Sequence, residues 1–163
     1  MSYRIIEEDI TDNKEFETIK TIQFGLGRNY DIFHHEKPYL RITVEEHSTF
    51  TDAVLFGNYL YIGDYINGIH IINLIDFTVR NIAIDWYFGR FQKEDDVIYV
   101  LGCCNIIAFD CCSQIIWKSD DISGDGITFH KIENHIMYVD CDIDPPGNWI
   151  ERKINITNGK ILI

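Results

Sequence analysis

From residue 51 onward, apolar and polar positions alternate in short bursts separated by turn residues, the period of two that belongs to half-buried strands. Tyr59-Leu60-Tyr61-Ile62 passes through Gly63-Asp64-Tyr65-Ile66-Asn67-Gly68 to Ile69-His70-Ile71-Ile72-Asn73-Leu74. Val97-Ile98-Tyr99-Val100-Leu101 passes through Gly102-Cys103-Cys104 to Ile106-Ile107-Ala108-Phe109-Asp110. His135-Ile136-Met137-Tyr138-Val139 passes through Asp144-Pro145-Pro146-Gly147 to a strand over Trp149–Ile156. Each unit closes with a further strand, at Val79–Ile84, Gln114–Lys118 and Lys160–Ile163. Tyr61, Tyr99 and Tyr138 stand 38 and 39 residues apart, and Asn73, Asp110 and Asn155 follow their tyrosines by 12, 11 and 17 residues. A period near 40 with several strands per unit predicts propeller blades or a related β-repeat array, and the alternation excludes helical repeats.

The N-terminal third is less regular. Tyr3–Glu8 and Tyr39–Glu45 have strand character. Asp12 with Glu15 forms a capping box ahead of Phe16, Ile19 and Ile22, which predicts a short helix over 13–23, while Thr18, Ile19, Thr21 and Ile22 allow a strand there instead. Gly25 and Gly27 end the segment either way. The prolines stand at 38, 145 and 146 and no Ser-rich linker intervenes, so one domain is expected over 1–163. In it, residues 1–50 would complete the sheet array and residues 51–163 would form three β repeats. The expected fold is all-β: blade-like antiparallel repeats in an incomplete propeller or a β-sandwich, with or without the N-terminal helix.

In Val97-Ile98-Tyr99-Val100, Ile107-Ala108-Phe109-Asp110 and Ile115-Ile116-Trp117-Lys118, the middle unit resembles a blade of the PQQ-type β-propeller repeats. Asn155-Ile156-Thr157-Asn158-Gly159-Lys160-Ile161 resembles the corresponding stretch more loosely, and the likeness covers about residues 51–163. It implies a fold and carries no cofactor ligands, so no cofactor is expected. In type, a small acidic domain of this build resembles the immunity proteins of bacterial toxin–immunity systems. Gly124-Asp125-Gly126-Ile127 and Asp144-Pro145-Pro146-Gly147-Asn148-Trp149 are similar to segments of uncharacterised proteins of that sort.

Composition narrows the partners. Hydrophobic residues make up 46% of the chain and aromatics 13%, enough for a real core. The 14 Lys and Arg face 26 Asp and Glu, a net charge of −12. Such a field repels nucleic-acid backbones and anionic membranes and attracts a basic protein, although the same acids also serve solubility. With no signal-like apolar run near the start, a cytoplasmic location is expected.

Candidate chemistry is sparse. Cys103-Cys104 and Cys111-Cys112 flank a predicted strand that holds the pairs about 20 Å apart, too far for one metal centre, and with Cys141 they are read as reduced thiols. His34-His35 precede Glu36, but adjacent residues of an extended segment face opposite ways, and His70 is read as a solvent-facing strand position. No nucleophile elbow or dinucleotide loop is present, so no catalytic or metal-binding residue is assigned. Asp140, Asp142 and Asp144 would share one face of an extended segment, as solvated turn acids, a protein-binding patch or a cation site. Tyr65, Trp86-Tyr87-Phe88 and Trp149 cluster near the turns, as core or as exposed anchors beside the acids. The resulting expectation is a non-catalytic protein-binding domain, an immunity protein that blocks a basic toxin domain. Its contacts would be Glu94, Asp95, Asp96, Asp120, Asp121, Asp125, Asp140, Asp142, Asp144 and Trp149. The competing expectation is a glycan- or small-ligand-binding β-repeat domain, hydrolytic or not.

Overall fold

The structure, a computed structural model, describes residues 3–8, 19–45, 51–65 and 68–162. Strands β1 (Tyr3–Glu8), β2 (Lys20–Gln23), β3 (Asn29–His34) and β4 (Lys37–Thr43) form the first sheet, in the order β1-β3-β4-β2. The second sheet runs β5 (Asp52–Phe56), β6 (Tyr59–Asp64), β7 (Gly68–Asn73) and β8 (Val79–Ile82), in chain order. The third is β9 (Phe88–Glu94), β10 (Val97–Gly102), β11 (Ile106–Phe109) and β12 (Ile115–Lys118), and the fourth β13 (Ile127–Glu133), β14 (Ile136–Asp142) and β15 (Trp149–Asn155). A single bridge, Ile154 to Ile161, stands where the fourth sheet's outer strand was expected. The chain is all-β, with no helix among the described residues. The alternative strand reading of 13–23 holds at Lys20–Gln23, and residues 9–18 lie outside the described residues.

Each sheet packs on the next in chain order, with a separate apolar core in each of the three spaces, so the array is a stack of four sheets rather than a two-sheet sandwich. Period two explains the layering. On β10, Ile98 and Val100 face the second sheet while Tyr99 and Leu101 face the fourth, and all four are fully or almost fully buried. Each such side chain contributes roughly 1.5–3 kcal/mol of burial. On β6, Leu60 and Ile62 face the first sheet and Tyr61 the third. Tyr61 and Tyr99 thus share one task, which is to pack against the following sheet. At Gly63 the sheets approach so closely that a Cβ would lie 2.1 Å from the Phe88 ring.

Among the described residues no further sheet packs on the outer face of the fourth, where Tyr138 is half-buried between the ammonium groups of Lys131 and Lys153 at 5.0 and 5.6 Å. His130 pairs with Asp140 at 2.8 Å on the same sheet. At the opposite end of the stack, the face of the first sheet turned away from the second carries the Asp31–Arg41 pair, with two contacts of 2.6 and 2.7 Å.

The N-terminal third supplies a sheet of its own, in which β2 pairs parallel to β4, and this sheet runs opposite to the second. One sequence expectation is corrected by that packing. Lys20, opening β2, lies 4.4 Å over Phe77 beyond the end of β7, whereas Phe24, just past β2, stacks on His70 near the start of β7. His70 is buried rather than solvent-facing, 3.8 Å from the Phe24 ring, with Nδ1 2.9 Å from Asn81 Oδ1, because β7 has a sheet on both faces.

The turns after β7, β11 and β15 explain the second anchor. The side-chain oxygens of Asn73, Asp110 and Asn155 accept the amides of Ile75, Cys112 and Thr157, each two residues on, at 2.9 Å. These Asx turns close the hairpins without outside help. Between sheets, Arg80 donates to the Ser113 carbonyl, and Trp117 Nε1 donates to the Ile156 carbonyl at 2.7 Å. Arg80 and Trp117 each stand seven residues after their Asx anchor, so this link also repeats.

Candidate functional site

At the end of sheets two to four opposite those turns, the connections lie against one another. Phe88 N–H donates to Tyr65 O, Cys103 N–H to Tyr87 O, Gly126 N–H to Cys103 O and Gly124 N–H to Asp142 O, at 2.6–3.4 Å. The segments Gly124–Ile127 and Asp144–Trp149, distant in sequence, therefore meet. Between them opens a cleft of about 740 Å³ walled by Tyr65, Tyr87, Arg90, Asp125, Asp142 and Trp149. Gly89, Gly102 and Gly126 also line it, and a Cβ at Gly126 would stand among the cleft's aromatic groups.

Tyr65 and Tyr87 stack at 5.2 Å, and the Tyr87 hydroxyl donates to Asp125 Oδ1 at 2.8 Å. Burial first, and then the Asp125 carboxylate, push the Tyr87 phenol well above its usual range, so it stays a donor. Asp142 is buried and accepts the amides of Gly147 at 2.9 Å and Asn148 at 3.1 Å, which shapes the Pro145-Pro146-Gly147 turn. Beside the cleft, Asn105 donates to Asp85 at 2.9 Å and Asp121 at 3.4 Å, and Lys118 reaches Asp85 at 2.5 Å. Lys118 above all, then Asn105, hold Asp85 below the usual carboxylate range. Two indoles stay exposed here, Trp86 at 81% and Trp149 at 46%.

The five cysteines are free thiols. Cys103 and Cys104 are buried at this end with sulfurs 3.5 Å apart, while Cys111 and Cys112 are exposed in the turn beyond β11. Burial pushes the Cys104 thiol up to about 12. Among the described residues no group of three or more His, Cys, Asp or Glu side chains is placed to hold a metal. His34 and His35 do not face opposite ways: His35 turns the chain at φ 50°, and the rings lie 4.3 Å apart.

The structure divides the expected contact residues. Asp120, Asp121, Asp125, Asp142, Asp144 and Trp149 lie at the cleft end. Glu94, Asp95 and Asp96 form the β9–β10 turn at the other end of β10, about 20 Å away along the strand. Asp140 sits on the side of the fourth sheet, paired with His130. Asp140, Asp142 and Asp144 do not form one extended carboxylate row, since β14 ends at Asp142 and Asp144 falls in the bend beyond it. Arg90 and the glycine floor were missed, because a strand Arg and isolated glycines carry no signal of a cleft until three sheets are assembled.

No family model matches the chain, and no curated protein does. Among solved structures, the chain is similar to the computationally designed protein Ika4, with a TM-score of 0.54 and 12% identity over 73% of each chain. At that identity the likeness concerns the fold alone.

Proposed function

We propose that this chain is a non-catalytic binding domain that captures a basic protein with its cleft end, acting as an immunity protein acts on a toxin domain, by covering the partner's working surface. The observation that carries this reading is the convergence on one end of Asp85, Asp120, Asp121, Asp125 and Asp144 with exposed Trp86 and Trp149. The acids steer a cationic partner from a distance and the indoles supply the desolvated anchors. In a chain of net charge −12 no nucleic acid or anionic membrane competes for that end.

The test is co-expression with a basic domain encoded beside this chain, with growth rescue and association rates as readouts. The rate is expected to fall about tenfold or more between low and high salt. Salt-independent association would overturn the steering. The aromatic walls of the cleft favour a second reading, a glycan- or small-ligand-binding module. A thermal-shift screen in which a sugar, and no basic protein, raises the melting temperature would select it.

A further inference from the structure

The cleft is selective by its own chemistry. Gly126, at φ +114°, lies between two aromatic groups: a Cβ there would stand 3.4 Å from the Tyr87 hydroxyl and 3.6 Å from the Trp149 ring. The glycine keeps the gap between these rings open, and a side chain at that φ would be strained besides. Tyr87, stacked on Tyr65, also orients Asp125 by donating to one of its oxygens. Asp142 spends both oxygens on backbone amides, so it adds negative potential without offering a contact. Arg90 is the single cation of the lining, and against Asp125 and Asp142 it leaves the wall net negative.

An anion entering the cleft would face those carboxylates, and a hydrocarbon would desolvate them without compensation. A planar cation meets both demands, packing on the Trp149 ring with its N–H edge toward the Asp125 carboxylate and the Tyr87 hydroxyl oxygen. We propose that the cleft binds the guanidinium of one arginine of the basic partner, between Trp149 and Tyr87 and against Asp125. This rests on the proposed capture of a basic protein and names the contact that anchors it. Lysine, a compact ammonium without a planar face, fits the same place less well.

The test titrates Nα-acetyl-arginine amide into the ¹⁵N-labelled full chain and follows the Trp149 indole N–H, assigned by its loss in Trp149→Phe. A saturable shift is expected, weaker with the lysine analogue, weakened about fivefold in Asp125→Asn and unchanged in Asp95→Asn. Thermal melts of both variants check that the fold is kept. Saturation by a neutral methyl glycoside at lower concentration, or no Trp149 response up to about 50 mM arginine amide, overturns the inference. If arginine amide fails while reversing Asp120 and Asp121 still slows capture of the basic domain, the pocket falls and the acidic-surface reading stands. If arginine amide binds at Trp149 while capture ignores salt and acids, the surface reading falls instead.

Discussion

Both ends of the strands carry carboxylates, and the carboxylates have different neighbours at each end. At the turn end, Asp110 accepts the amides of Cys112 and Gln114 at 2.9 and 2.8 Å, and Asn73 and Asn155 cap their own turns in the same way. Glu94 and Asp95 at that end do little more than help burial push the Tyr99 phenol up to about 12. At the cleft end, Asp125 is held by a tyrosine that itself walls a cavity, and Trp86 and Trp149 remain uncovered. Carboxylate number therefore does not by itself distinguish the two ends. What separates the ends is the company of the acids: backbone amides close a turn, whereas aromatic rings around a void leave something to be filled.

Substitutions can break this contrast, beginning with the largest effect. Trp117→Ala removes an indole that is 8% exposed and its link to Ile156 O, and should destabilise the chain by about 3–5 kcal/mol in denaturant titration. Cleft binding, to which Trp117 contributes no lining group, should survive in the folded fraction. Asp110→Ala should cost about 1–2 kcal/mol through two lost turn bonds, again without touching affinity; a matching loss from Asp125→Ala would show that the cleft acid is structural too. Reversing Asp120 and Asp121 to Lys should slow association with a basic partner about tenfold, whereas reversing Asp95 and Asp96 should change it less than about twofold. Equal slowing by both pairs would show that net charge, not the cleft end, does the steering.

The smallest effect is one of pH. Burial pushes the Cys141 thiol from its ordinary value of 9.0 up to about 12, so the folded chain holds that proton longer than the unfolded chain. Its contribution is complete below pH 9 and lost as pH rises from about 9 to about 12. Cys141→Ala should flatten that part of the stability–pH curve, and an unchanged slope would assign the alkaline loss to the buried tyrosines.

The strands that alternate cleanly were legible in advance: the segments around Tyr61, Tyr99 and Tyr138 became β6, β10 and β14, and their partners became β7, β11 and β15. The strands that open each sheet, β5, β9 and β13, were not. Phe88-Gly89-Arg90-Phe91-Gln92-Lys93-Glu94 lacks a sustained period, since its faces meet different neighbours along its length. The aromatic cluster at Tyr65, Tyr87 and Trp149 was visible as composition, but not as a cleft. The row of acids was overread, because spacing along an extended chain ignores where the strand stops.

Local chemistry by itself decided that this chain is all-β, that its hairpins recur near every 40 residues, and that an Asn or Asp closes each turn. Those outcomes depend on neighbours a few residues apart. Tertiary structure alone decided which faces are inside and which acids stand together. His70 is buried because a first sheet, running the reverse way, lies over β7, whereas Tyr138, on a face that no other described sheet covers, is half-buried. Asp125 and Trp149 share a cleft because loops from three sheets end at one level, and no local pattern encodes how separate sheets align.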